Sequence, residues 1–312
     1  MKTRLIPLIA ACALLAPGPA CADLEIGLMP AYNSIPLVVA DAKGLYKANG
    51  LTVQLVPFTG QLERETALQT GAIDGTVTDL INAIQSWAHG FGARATSVTE
   101  GNFGLLSSPS SRLRSLADWK ASMGKVRTGL LEDSIVYYIT ERMLASAGAD
   151  PSRIELVPIV QLPTRLEMLL AGKIEAACLP EPLATMAAAQ GAHRLADSDG
   201  MGTIPGILLF TKKALAEKQR DIAAFYRAYD AAVQEVNDNA KAYTDVIVAE
   251  CQFPPAVKSL MQVPQFSPAF LPPQALVADV AAWMKQKGLV DKVPTYADIV
   301  QPGYAAENAR TP

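Results

Sequence analysis

The sequence predicts an α/β protein with two mostly parallel sheets and helices packed on both faces. Two observations carry this. Strand-like and helix-like segments alternate from Leu24 to about Leu208, the rhythm of parallel strands joined by crossover helices. The pattern also repeats internally. With Val53 set over Ile154, Leu55, Val56, Pro57, Arg64, Leu68, Gly71 and Ile73 face the identical Leu156, Val157, Pro158, Arg165, Leu169, Gly172 and Ile174 at a constant offset of 101 residues, and Asp74 faces Glu175. Such self-similarity marks a duplicated unit; the simplest reading is two lobes on one strand–helix–strand plan.

In chain order, Lys2 and Arg4 precede an apolar run from Leu5 to Ala16, then Pro17-Gly18-Pro19 and the small-residue site Ala20-Cys21-Ala22. This predicts a signal peptide over residues 1–22, a mature chain beginning at Asp23, and a periplasmic protein. The run is shorter than the roughly 20 apolar residues a membrane span needs. Ile9-Ala10-Ala11-Cys12 resembles a lipobox, so a lipoprotein anchor is the alternative, but few apolar residues precede that cysteine and ordinary cleavage is favoured. Leu24 to Leu28 then alternates as a strand and Pro36 to Lys43 has helical spacing. Val53 to Val56 is the next strand, followed by a helix from Leu62 to Gln69 that ends at Gly71. After Leu208 the strand alternation stops. Ile222, Phe225, Tyr226, Tyr229, Ala232, Val233 and Val236 recur at spacings of three and four, one face of an amphipathic helix. Prolines at 254, 255, 264, 268, 272 and 273 break the next segment, and Ala275 to Lys287 forms a last helix stopped by Gly288. This third reads as a helical layer on one lobe.

Composition narrows the function. Without Lys2 and Arg4 the chain has 25 basic against 30 acidic residues and no basic block, which argues against nucleic acid as a partner. Cys178 and Cys251 remain after the leader; free buried thiols are favoured slightly over a disulfide. Sequences of the G-x-S-x-G, Walker A and H-E-x-x-H kinds are absent, and Gly200-Met201-Gly202 with Gly206 misses the dinucleotide spacing. His89 and His193 are the only histidines, without a clustered partner, and Cys178 lies among apolar residues. The expectation is a binder rather than an enzyme, with no catalytic residue, metal or cofactor.

Ligands of open α/β sheets bind at the carboxyl ends of the strands, which selects a set of loops. Tyr32, Asn33 and Ser34 follow the first strand; Thr59 and Gln61 the second; Thr78 and Asp79 the third. In the second lobe Glu132 and Ser134 open a helix, and Glu181 lies between Pro180 and Pro182. Ser34 and Ser134 serve equally well as helix N-caps, as does Asp79. Asp74 and Glu175 read as structural.

Together these pieces resemble the nitrate/sulfonate/taurine group of periplasmic substrate-binding proteins, which includes binders of the thiamine pyrimidine precursor. The likeness rests on Gly44-Leu45-Tyr46 before Gly50-Leu51, Leu68-x-x-Gly71-x-Ile73-Asp74, and Ser115-Leu116-x-Asp118-Trp119 before Gly124-Lys125-Val126. It continues with Gly172 to Ala177 and Pro180-Glu181-Pro182, then Lys287-Gly288-Leu289-Val290 and Pro294-x-Tyr296-x-Asp298. The resemblance implies a two-lobed periplasmic binding protein fold of class II. Its lobes would span 23–104 with 206–312, and 105–205, with crossovers near Phe103 to Leu106 and Ile204 to Leu208. Gly104 and Gly206 would absorb the hinge torsions. It further implies a monomer that captures a small molecule by closure and delivers it to an ABC permease with its ATPase subunit. A sensor for a signalling receptor or a secreted enzyme on the same fold are alternatives. The loops hold Asp79, Glu100, Glu132, Asp133 and Glu181 but only Arg64 as an arginine. That balance points to a neutral or cationic heterocycle, such as a thiamine precursor, stacked on Tyr32, Phe58 or Tyr137; a taurine-like sulfonate is the rival.

Overall fold

The computed structural model describes residues 22–307. The leader therefore lies, but for Ala22, outside the described residues. Ten five-residue strands run β1 Leu24–Leu28, β2 Val53–Pro57, β3 Gly75–Asp79, β4 Arg94–Val98, β5 Phe103–Ser107, β6 Val126–Leu130, β7 Ile154–Pro158, β8 Ala176–Pro180, β9 His193–Asp197 and β10 Gly206–Phe210. They form two sheets in the orders β2-β1-β3-β10-β4 and β7-β6-β8-β5-β9. In each, a single antiparallel strand lies between parallel neighbours: β10 pairs with β3 and β4, and β5 with β8 and β9. The repeat read from the sequence is this duplicated order. Leu24 pairs with Val53 in one sheet and Val126 with Ile154 in the other, and each antiparallel strand shifts register once, at Leu208/Leu209 and at Leu105/Leu106.

Local chemistry sets the element ends. The helices Gln61–Thr70 and Leu162–Leu170 stop at Gly71 and just before Gly172, which take φ of 74° and 66°, backbone that glycine adopts without strain. Asp74 accepts hydrogen bonds from the Glu25 N–H (2.9 Å) and Lys218 Nζ (2.8 Å), so it ties the first sheet to the helical layer.

That layer covers both faces of the first sheet. Helix Gln219–Asn239 buries the expected stripe from Ile222 to Val236 and packs on helix Ile35–Ala42. Leu208 and Phe210 of β10 face this side; Ile207 and Leu209 face the other. There helix Gln274–Gln286 packs against helix Leu80–Ala88, burying Val277, Val280, Trp283 and Met284.

The chain passes between sheets at residues 99–102 and 198–205. Phe103 and Gly104 already pair with Pro180 and Leu179 in the second sheet. Gly104 and Gly206 sit inside strands rather than at free torsions. A β-carbon at Gly206 would lie 2.7 Å from the Thr99 carbonyl oxygen, and one at Gly104 would lie 2.9 Å from Ala184 Cβ. Close approach, not hinge freedom, requires these glycines. Cys178 and Cys251 are both buried free thiols.

Candidate ligand-binding cleft

The carboxyl ends of β1 to β3 and of β6 to β8 face one another across a cleft. The first sheet's side contributes Met29, Ala31 and Asn33 after β1, Gln61 and Arg64 on the helix after β2, and Val77, Thr78 and Asp79 at the end of β3. The second contributes Phe103, Leu131, Ser134, Ile135 and Val136, then Val160, Leu162, Arg165 and Pro180. The loops before the two repeat-related helices meet at the rim, where Gly60 and Gln161 form an antiparallel bridge. Gln61 Nε2 reaches the Asp133 carbonyl at 3.4 Å, and Gln85 Nε2 donates to Asp133 Oδ2 at 3.2 Å.

Of the residues singled out from the loops, the structure brings Asn33, Gln61, Thr78, Asp79 and Ser134 to the cleft. Tyr32, Ser34, Thr59, Glu132 and Glu181 are not among its lining residues. Tyr32 is buried beside Phe253, and its oxygen accepts the Gln262 N–H at 3.0 Å; burial drives its pKa well up. Ser34 donates to the Met29 carbonyl at 2.8 Å rather than capping a helix. Thr59 is half-buried and Glu132 is exposed. Glu181 accepts from Arg194 Nη2 at 2.8 Å and from the Thr185 N–H at 3.0 Å, so its carboxylate is neutralised and used to cap the following helix. The stacking candidates also sit elsewhere: Tyr137 packs edge-on against Trp283, and Phe58 lies over Gly27.

Asp79 has both roles considered for it. It is 3% exposed and lines the cleft. It also caps helix Leu80–Ala88, accepting from Asn82 N–H and Nδ2, each at 3.1 Å. Burial pushes its pKa up to about 6, against the opposing pull of the Arg64 charge and the Asn82 N–H. Asn82 Nδ2 also donates to Thr78 Oγ1 at 2.9 Å, which fixes that hydroxyl.

The charge balance inferred from the loops is reversed. Among the acidic loop residues only Asp79 lines the cleft, because Glu100 is bonded to Ser267, Glu181 to Arg194, and Asp133 to Gln85 at the rim. Two arginines line it instead, and they are the repeat-equivalent pair Arg64 and Arg165. Arg64 is 5% exposed, and its Nε and Nη2 reach Glu65 Oε1 at 3.1 and 2.7 Å. Arg165 is 2% exposed and has no carboxylate partner among the described residues. Its Nη2 donates to the Ile159 carbonyl at 2.7 Å and its Nη1 to the Cys178 carbonyl at 3.4 Å, while Nε has no partner there. Burial lowers its pKa to about 10, which leaves it a cation at neutral pH. Asn33 Oδ1 is likewise buried without a partner among the described residues. The sequence marks Arg64 only as the loops' one arginine and does not mark Arg165 as a site residue, although the repeat aligns them; both sit a turn inside helices, past the strand-end loops.

The cleft between duplicated five-stranded sheets defines a periplasmic binding protein fold, and solved structures share it. The alkanesulfonate-binding protein SsuA from Xanthomonas axonopodis pv. citri, bound to MOPS, superposes with a TM-score of 0.73 at 21% identity, covering 92% of this chain and 100% of that one. The ligand-binding component of an ABC-type import system from Staphylococcus aureus, with zinc bound, gives 0.72 at 18%, covering 89% and 96%. The periplasmic aliphatic sulphonate binding protein SsuA from Escherichia coli gives 0.70 at 18%, covering 93% and 95%. Comparison with curated protein sequences returned no match. The NMT1/THI5-like family model matches residues 31–242, and the chain belongs to that family.

Proposed function

We propose that this protein is the ligand-capturing component of an ABC-type importer. It holds a small organic anion in the cleft, closes over it, and presents it to a membrane permease driven by an ATPase subunit. One observation carries the choice of ligand: the cation of Arg165 is buried in the cleft wall with no acidic partner. A buried charge without a counter-ion is costly, and an anionic ligand supplies the missing partner. Met29, Val77, Phe103, Ile135, Val136 and Leu162 make the remaining walls mostly apolar, which suits an aliphatic or aromatic body behind the anionic group. The sulfonate-binding neighbours support this reading over a neutral or cationic heterocycle. Closure follows from the placement of contacts. The ligand touches both sides of the cleft, so binding favours the closed arrangement by its differential affinity. Among the described residues no helix is long and apolar enough to cross a membrane, in keeping with a carrier that meets its permease from outside the bilayer.

Isothermal titration calorimetry of the chain from Asp23 onward tests the charge assignment. Hexanesulfonate, hexanoate, hexylammonium and the pyrimidine precursor of thiamine are compared. The sulfonate is expected to bind and hexylammonium to give no heat. Binding of hexylammonium or the pyrimidine with no response to the sulfonate, and none to hexanoate, overturns the proposal.

A further inference from the structure

Helix Ile135–Ser146 belongs to the second sheet, on which it buries Val136, Ile139, Met143 and Leu144, and its first turn puts Ile135 and Val136 into the cleft wall. Its other side faces helix Gln274–Gln286, which is packed on the first sheet's helix Leu80–Ala88. The two helices therefore join opposite sides of the cleft. Asp279, Trp283 and Lys287 recur every fourth residue, so they form one stripe.

Each member of that stripe is engaged. Tyr138 Oη donates to Asp279 Oδ2 at 2.5 Å, and Arg142 Nη2 reaches both carboxylate oxygens at 2.7 and 2.9 Å. Trp283 Nε1 donates to Glu141 Oε2 at 2.7 Å, and its ring meets Tyr137 and Tyr138 edge-on at 5.8 and 5.4 Å. Lys287 Nζ donates to Glu141 Oε1 at 2.5 Å and lies 4.9 Å from the centre of the Tyr137 ring. The contact is graded: the Arg142 and Asp279 side chains are 38% and 49% exposed, whereas those of Lys287 and Glu141 are 26% and 13% exposed. Half-exposed pairs hold weakly one by one. The Arg142–Asp279 pair can therefore be made and broken at small cost, while Tyr138 and Trp283, each 4% exposed, carry the buried end of the contact.

A helix moves as a rigid body, so the coordinate that brings Ile135 and Val136 against a ligand also brings Tyr138, Glu141 and Arg142 against the C-terminal helix. We propose that Asp279, Trp283 and Lys287 are positioning residues for the cleft. Their clasp on helix Ile135–Ser146 favours the closed arrangement even without ligand, and so raises affinity from outside the binding site. The inference rests on the closure reading above. If only a fraction of molecules is closed, apparent affinity falls by that fraction, and a broken clasp lowers it further.

The test places spin labels on Phe91→Cys and Met123→Cys, exposed positions (45% and 96%) at the outer ends of the two sheets. In the chain from Asp23 onward the native cysteines are Cys178 and Cys251, both buried, and they do not compete for label. Double electron–electron resonance is read on the chain without ligand and with hexanesulfonate, with and without Asp279→Asn plus Glu141→Gln. The proposal expects the double variant to raise the open fraction several-fold without ligand and to weaken hexanesulfonate by a similar factor, with Asp279→Glu restoring most of both. A double variant that melts earlier yet shows the parent's distances in both states overturns it, since the clasp is then static packing. If hexanesulfonate binds yet changes the distances in neither the parent nor the double variant, the closure reading is overturned instead. If hexanesulfonate does not bind, the ligand-free comparison alone decides the clasp.

Discussion

Arg64 and Arg165 occupy the same position in the two halves of a duplicated frame, yet they do different work. Each sits on the helix after the second strand of its unit, is almost fully buried, and lines the cleft. Arg64 is answered within its own helix by Glu65. Arg165 has only backbone carbonyls, and its Nε has no partner among the described residues. In the repeat Glu65 aligns with Leu166, which is buried and apolar. One neighbouring residue therefore decides whether the arginine's charge is neutralised inside the lobe or left for a ligand. The scaffold is duplicated, and a single side chain makes its two buried arginines electrostatically different.

The sharpest test of this contrast is Arg165→Met. Affinity for hexanesulfonate should weaken by about 2–5 kcal/mol, as when one member of a buried charged pair is removed. The melting temperature should hold or rise, because a buried cation without a counter-ion has gone. Calorimetry and a thermal melt give both numbers, and unchanged affinity breaks the comparison. Arg64→Met should do the opposite. It strands Glu65, whose side chain is 17% exposed, and should cost about 3 kcal/mol in a denaturant titration.

Asp79 offers a test along the pH axis. Its carboxyl is raised from 3.8 to about 6, so the folded chain holds this proton more tightly than the unfolded chain. Its stabilising contribution is complete below about pH 4 and is lost as pH rises through 6, a change of up to about 3 kcal/mol. Asp79→Asn, which can still cap the helix, should remove that slope from unfolding measured between pH 4 and 7. An anion bound nearby favours the protonated acid, so hexanesulfonate should bind more tightly at pH 5 than at pH 8 in the parent and equally in the variant.

The smallest effect concerns Gly27 and Gly129, which hold matching positions in β1 and β6. A β-carbon on Gly27 would meet Thr76 Oγ1 at 2.7 Å and Ile73 Cδ1 at 2.8 Å; one on Gly129 would meet Ile174 Cδ1 at 2.6 Å and Arg165 Cγ at 3.3 Å. Alanine at either should cost about 1–2 kcal/mol of stability by overpacking. Only Gly129→Ala should also disturb sulfonate binding, because only there does the new methyl press on the stem of a cleft-lining arginine, at Arg165 Cγ.

The frame was legible because it depends on local and periodic signals. Alternation marked the strands, the offset of 101 residues marked the duplication, and the stripe from Ile222 to Val236 marked the long helix. The cleft was half legible. Strand-end loops gave Asn33, Gln61, Thr78, Asp79 and Ser134, since sheet topology alone brings such loops together. The charges were misread because a carboxylate's meaning lies in its partner. Glu181 looked free between two prolines, but Arg194, a strand residue thirteen positions on, neutralises it. The aligned arginines were visible as identities; the burial of Arg165 without a counter-ion among the described residues is a tertiary fact that no window of sequence contains.

The exchange of β5 and β10 between sheets has a consequence for the growing chain. The second sheet is complete within residues 103–197, so it can close as soon as that stretch has left the ribosome. The first sheet cannot. β3 and β4 are made early, but the strand that pairs with both of them is β10, at residues 206–210, and one face then waits for the helix that ends at Gln286. Synthesis therefore passes through a long interval, from β4 to β10, in which the first-made half keeps the facing edges of β3 and β4 open. Exposed edges of that kind invite pairing with other chains. The half that begins translation is the half whose sheet is completed last.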